Sequence, residues 1–195
     1  MQSKISLKWA FFIVGIVGIS FSLIVIFCVT SSQTLQKNIV FTKQAGLELP
    51  IRLRIPNINV DAIVEYVGIA PDGSMGVPPG PSDVGWFDLG PRPGDIGSAV
   101  IAGHEGWKNG IPAVFDNLYN LVKGDKIYVE DETGTTTIFV VREFRIYGQN
   151  DDASYVFTSS DGKAHLNLIT CSGVWNTTEK SRPNRLVVFA DKGSP

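Results

Sequence analysis

Reactive side chains are scarce in this chain. Its 195 residues hold two cysteines, two histidines and two methionines. Cys28 sits inside an apolar N-terminal run, which leaves Cys171 as the only thiol in the remainder. A disulfide framework of the kind that staples small exported domains is therefore excluded. One such cysteine and two histidines also fall short of a closed zinc site unless carboxylates complete it. Charge is sparse too. Charged residues make up 18%, the net charge is −2 and no basic tract is present. Nucleic acid is thus not expected as a partner. A hydrophobic content of 44% sets the chain apart from disordered sequences.

What is abundant is apolar sequence near the N-terminus. "WAFFIVGIVGISFSLIVIFCVT", residues 9–30, carries no charge and is long enough to cross a ~30 Å hydrocarbon core as a helix. Lys4 and Lys8 precede it, and the first acid is Glu48. The positive-inside rule then keeps the N-terminus cytoplasmic and exports the rest of the chain. The competing reading is a cleaved signal peptide, but this run exceeds the usual ~7–15-residue apolar region. Bulky Phe27 before Cys28 argues against a lipoprotein. The expected organisation is a cytoplasmic N-terminus (1–8), a single-pass anchor in the cell membrane (9–30), a polar juxtamembrane linker (31–49) and an extracytoplasmic domain (50–195).

From Pro50 onward the pattern is β. "IRLRIP" alternates, and "INVDAIVEYVGI" comes after it. "PDGSMGVPPGPSDVGWFDLGPRPGDIG" reads as one long loop dense in Pro and Gly, and loops of that length are usually functional or well packed. "SAVIAGH" reads as a short buried strand. "IPAVFDNLYNLVKGD" reads as a short helical turn closed by Gly124. "KIYVEDETGTTTIFVVREFRIYG" reads as a hairpin turning through residues 132–135. "HLNLITC" and "RLVVFAD" are the last strands. Some eight short strands with little helix predict an all-β fold with short helices, an eight-stranded barrel.

A lone thiol in an exported domain is either a packing residue, half of an intermolecular disulfide or a nucleophile. A nucleophile needs a base and a donor for the oxyanion. Two histidines compete for the first role. His165 and Cys171 share a face of one strand by parity, but six residues at ~3.3 Å each put them roughly 20 Å apart. His165 is therefore expected at the rim or in solvent, away from the thiol. His104 comes just after "SAVIAG" and reaches Cys171 if the two strand ends lie side by side at one rim of the barrel. The bland alternative for His104 is a turn residue that bonds its own loop. For the donor, Arg185 opens the strand after Cys171, while Arg182 lies in the loop before Pro183. Thr170 points away from Cys171 by parity, which gives it a packing or loop-anchoring role.

These residues carry a resemblance. "LITC" at 168–171, a loop, then "RLVVFA", with "AVIAGH" upstream, resembles the sortases. After the histidine, Phe115, Leu118, Leu121, Gly124 and Asp125 fit the pattern F-x-x-L-x-x-L-x-x-G-D that recurs there in that family. "RIPNINVDAIVEYVGI" and "VGWFDLGPRPGDIGSAVIAGH" resemble its earlier segments. The likeness spans residues 50–191, and "CSGVWN" resembles the class F-like branch more than class A.

The resemblance implies a membrane-anchored cysteine transpeptidase with an eight-stranded barrel that faces the cell wall. It places the nucleophile on Cys171, the general acid/base on His104 and the oxyanion or substrate-positioning arginine on Arg185, with Arg182 as fallback. Sortases cut an LPxTG-like sorting signal, hold the acyl part as a thioester and pass it to an amine. The implied partners are thus a protein bearing a sorting signal and an acceptor such as a peptidoglycan precursor or a pilin lysine. The family's calcium site is not expected, because the acidic run Glu130, Asp131 and Glu132 is more simply a solvated turn. Acyl transfer through a thiol needs no cofactor. Competing readings are a non-catalytic exported binding domain, a cysteine hydrolase that releases its acyl group to water, and an L,D-transpeptidase. The last carries Gly before its thiol, where this chain has Thr170.

Overall fold

The computed structural model describes residues 49–178 and 182–193. The anchor expected at 9–30 and most of the linker lie outside the described residues. Eight strands form a closed barrel: β1 (Pro50–Ile55), β2 (Val60–Val67), β3 (Val84–Phe87), β4 (Gly97–Ala102), β5 (Lys126–Asp131), β6 (Thr136–Tyr147), β7 (Ala164–Ser172) and β8 (Asn184–Lys192). Their order around the barrel is β1-β2-β3-β4-β7-β8-β6-β5. The helical content is slight, in keeping with the sequence pattern. A single turn of helix, α1 (Ser154–Phe157), lies between β6 and β7, and short 3-10 turns lie elsewhere. No helix among the described residues is long and apolar enough to cross a membrane.

Alternation fixes which way each strand faces. In β2, Val60, Ala62 and Val64 point into the barrel, while Asp61 and Ile63 are exposed. The interior is filled by such side chains from every strand together with Phe115, Leu118 and Leu121 from the connection after β4. β3 is the one strand that the sequence hides. Its four residues sit inside the Pro/Gly-rich stretch whose pattern is that of a single loop, and they pair in parallel with β2 through Val64↔Val84 to Val67↔Phe87. Four residues are too few for alternation to stand out against the surrounding turn residues.

β4 departs from alternation because it is buried along its whole length. Ala99 and Ile101 face the barrel interior. Val100 faces outward, into a second apolar cluster with Val156, Val187 and Phe189. That cluster is covered by residues 148–163, the connection between β6 and β7, which roofs the outer face of the β4–β7–β8 wall. A strand covered on both faces reads as a continuous apolar run, as "AVIA" does. β4 and β7 run parallel, with Gly97↔Ala164 through Ala102↔Ile169 in register, so the segment after β4 lies beside the last residues of β7.

Candidate active site

The parallel pairing of β4 and β7 brings His104 and Cys171 to one place. Cys171 is the penultimate residue of β7, and His104 lies two residues beyond β4. The backbone N–H of Gly103 extends the ladder by donating to the Ile169 carbonyl at 3.0 Å. Buried Thr170 then donates its hydroxyl to the Gly103 carbonyl at 2.8 Å. The loop-anchoring role expected of Thr170 is thus what the fold gives it. A buried carbonyl next to the histidine finds its partner, and the peptide leading into His104 is tied to the strand that carries the thiol.

His104 is fixed on two further sides. Its own carbonyl accepts from the Phe115 N–H at 3.0 Å. Its ring Nε2 lies 2.8 Å from the Pro78 carbonyl. A carbonyl only accepts, so Nε2 carries the hydrogen, and in the neutral ring Nδ1 holds the lone pair. The donor-poor "VPPGP" stretch explains why this carbonyl is available, since proline lacks an N–H. The Trp107 ring covers the imidazole with centroids 4.7 Å apart. Gly103 is required by close approach: a Cβ there would lie 2.5 Å and 2.7 Å from the Phe115 ring and 2.8 Å from Val114.

Arg185 meets the thiol by a second route. β7 and β8 run antiparallel, and Cys171 and Arg185 are direct partners in that ladder. Opposed side chains leave the same face with Cβ atoms roughly 4.5–5.5 Å apart. Arg185 donates through Nη1 to the carbonyls of Arg182 and Asn184, each at 2.9 Å, which holds one arm of its guanidinium to the chain just before it. Arg182 is engaged otherwise. Its Nη1 donates to the Gly173 carbonyl, and its Nη2 lies 3.8 Å from Glu105 Oε1. Gly173, at φ +95°, makes the turn out of β7 that presents this carbonyl. Arg182 therefore ties the loop after Cys171 to the loop after His104. Burial raises the pKa of Glu105, the nearby Arg182 guanidinium opposes that rise, and Asp116 adds to it.

His104, Cys171, Arg182 and Arg185 line a single cleft of about 670 Å³. Its walls are apolar where Met75, Val77, Phe157 and Val187 face it, and Tyr147, Gly148 and Asp151 also line it. The nucleophile candidate is partly exposed there. The expected rim placement needs one correction. The site lies at the ends of β4 and β7, but on the outer face of the wall. Leu166 and Leu168 fill the interior, so by alternation Ile169 and Cys171 point away from it.

A second correction concerns His165. It is not a solvated residue: it is 5% exposed. Nδ1 is 2.7 Å from Asp191 Oδ1, and Nε2 is 3.0 Å and 3.1 Å from the two oxygens of Asp161. Its separation from the cleft along β7 stands as expected. The residues missed by sequence reasoning are those of the roof, Ala153, Val156 and Phe157, which line the cleft from outside the barrel. The only signal for them is the apolar content of "SYVF" inside a polar stretch.

Comparison with known proteins agrees with this geometry. The sortase domain model matches residues 53–193. The fold is similar to that of a lid mutant of sortase A from Corynebacterium diphtheriae, at TM-score 0.60 and 22% identity over 79% of this chain and 75% of that one. It is similar to Streptococcus agalactiae sortase C1, at 0.58 and 22% over 74% and 67%, and to sortase C-1 from Actinomyces oris, at 0.56 and 23% over 80% and 81%. No curated protein matches the chain. Sortases A and C stand together among these structures, so the fold does not separate subclasses, and the chain belongs to the sortase family.

Proposed function

We propose that this protein is a membrane-anchored cysteine transpeptidase that cleaves an LPxTG-like sorting signal and transfers the acyl part to an amine. The observation that carries the reading is the cross-strand pairing of Cys171 with Arg185 in the cleft that His104 also lines. Residues 9–30 act as the anchor and hold the catalytic domain outside the cytoplasm, where sorting signals and wall precursors meet it.

The proposed chemistry rests on the roles each group can fill. The Cys171 thiol gives its proton to His104 Nδ1 as the sulfur attacks the threonine carbonyl of the signal, and negative charge develops on the carbonyl oxygen. Arg185, whose guanidinium stays charged, donates to that oxygen. The peptide bond after the threonine breaks as His104 gives its Nδ1 proton to the leaving amine. The acyl group remains on sulfur as a thioester. An incoming amine attacks the thioester, His104 takes its proton and passes it to the departing sulfur, and the new amide leaves with the thiol restored. The apolar walls at Met75, Val77, Phe157 and Val187 suit the leucine and proline of the signal.

Product identity tests the reading. The purified protein is incubated with a panel of LPxTG-like peptides, with and without a glycine-type or diamine nucleophile, and the products are weighed. Transpeptidation predicts an adduct of acyl peptide and amine. Release to water alone, with the amine ignored, would assign a hydrolase instead.

A further inference from the structure

One outward-facing row of β7 carries His165, Asn167, Ile169 and Cys171 at alternate positions. Only the last belongs to the proposed chemistry. Asn167 is buried, and its Nδ2 donates to the Val156 carbonyl at 2.6 Å. His165 holds Asp161, at the far end of the roof, and Asp191, on β8, with one ring nitrogen each. A carboxylate only accepts, so both nitrogens donate in this arrangement and the ring bridges the two acids. The roof is therefore tied to the strand that presents the nucleophile by two polar links. A third tie is apolar, through Val156 against Val100, Val187 and Phe189. Val156 and its neighbour Phe157 also form one wall of the catalytic cleft.

We propose that His165 is a positioning residue: by clasping Asp161 of the roof to Asp191 of β8, it fixes the cleft wall formed by Val156 and Phe157 and so sets the affinity for the peptide substrate. This rests on the sortase reading of the cleft. His165 touches neither the thiol nor the peptide. Its effect passes through the backbone between Asp161 and α1, just before Lys163, whose carbonyl accepts from the Gly97 N–H at 2.8 Å. A histidine that merely fills space beneath a loop predicts no selective change in peptide affinity when its partner on the roof is altered.

The test uses Asp161, because its side chain is 48% exposed and its replacement disturbs no core packing. In the full-length protein, Asp161→Ala removes the bond to His165 together with those from the Ser159 hydroxyl and the Lys163 N–H, and is expected to raise KM for an LPxTG-like peptide roughly tenfold. kcat and the rate at which a small methanethiosulfonate reagent labels Cys171 stay within about twofold, since the reacting groups are untouched. Asp161→Asn retains an acceptor for the ring and restores most of the KM. Amide hydrogen exchange over 153–157 is faster in Asp161→Ala than in the unaltered protein. An unchanged KM in Asp161→Ala overturns the proposal, as does an equal fall in kcat and thiol labelling. If the unaltered protein turns over no such peptide, the substrate reading fails separately. Exchange over 153–157 then decides, with unchanged protection in Asp161→Ala overturning the clasp.

Discussion

Cys171 and Arg185 are direct partners in the antiparallel ladder of β7 and β8, so their side chains leave one face of one sheet from adjacent positions. The ladder sets where the two side chains start, and the Arg182 and Asn184 carbonyls hold Nη1 of the guanidinium. That rigidity matters because oxyanion stabilisation depends on donors held in place before charge develops. Arg182 spans two loops through Gly173 and Glu105, whereas Arg185 bonds only by Nη1 to the Arg182 and Asn184 carbonyls beside it. Arg185→Ala is expected to lower kcat about 10²–10³-fold, the usual cost of one lost oxyanion donor. Arg185→Lys recovers little, since an ammonium lacks the planar fork. Arg182→Ala is expected to be milder, about tenfold, because it loosens loops. Steady-state kinetics of the three variants checks the ranking, and equal losses at both arginines would assign the donor role to both.

Thr170 links the strand that carries Cys171 to the His104 loop through the Gly103 carbonyl. Thr170→Val keeps the shape and removes the hydroxyl, which leaves that buried carbonyl without its partner. The expected cost is about 1–3 kcal/mol of unfolding free energy, read from urea denaturation, with Thr170→Ser recovering most of it. Turnover should fall with Thr170→Val even at temperatures where the fold is intact, because His104 is no longer held by its preceding peptide.

Gly103→Ala probes the same junction from the other side. The added methyl meets the Phe115 ring and Val114 at distances no relaxed Cβ accepts. Phe115 is fully packed in the barrel core, so the His104 loop must yield. A loss of about 1–3 kcal/mol is expected from overpacking, and thermal unfolding measures it. Activity should be lost at temperatures below the shifted midpoint.

Asp161 gives a pH signature. Its pKa is held far below the usual carboxylate range, chiefly by the hydrogen bond from His165 and then by the Lys163 N–H and Ser159 hydroxyl. A carboxyl whose folded pKa is depressed contributes stability above its unfolded pKa, about 3.9, and loses it as pH falls through the folded value. The stability difference between the unaltered protein and Asp161→Asn should therefore be largest above about pH 5 and shrink steadily toward pH 2. Denaturant titrations across that range check the sign. A difference that grows on acidification would mean that the carboxylate is not favoured by the fold.

Much of the site is legible in the sequence because strand parity is a strong constraint. "LITC" ending one strand and "RLVVFA" opening the next place Cys171 and Arg185 opposite each other once the strands are antiparallel, and the fold makes them so. The bond from Thr170 to Gly103 comes from the same parity. What parity cannot supply is what covers a strand from outside. Parity alone predicts a solvated His165, because an isolated strand has one wet face. The roof at 148–163 buries that face, and two acids 26 and four residues away close on the ring. The Pro78 carbonyl that sets the His104 tautomer is 26 residues upstream, in a stretch whose only sequence signal is its proline and glycine content. β3 is hidden in that same stretch. Contacts between distant loops depend on the closed barrel as a whole, and local pattern does not encode them.

The central claim is that Cys171 carries the acyl group between cleavage and transfer, with His104 moving the proton. Intact-protein mass spectrometry of the full-length chain, quenched in acid during turnover of an LPxTG-like peptide, tests it most directly. The account predicts a mass increase equal to the acyl peptide, mapped to Cys171, lost on addition of a primary amine as the amide product appears, and absent in both Cys171→Ala and His104→Ala. Transfer of the peptide to the amine by Cys171→Ala, or turnover with no acyl mass on Cys171 at any quench time, would contradict it.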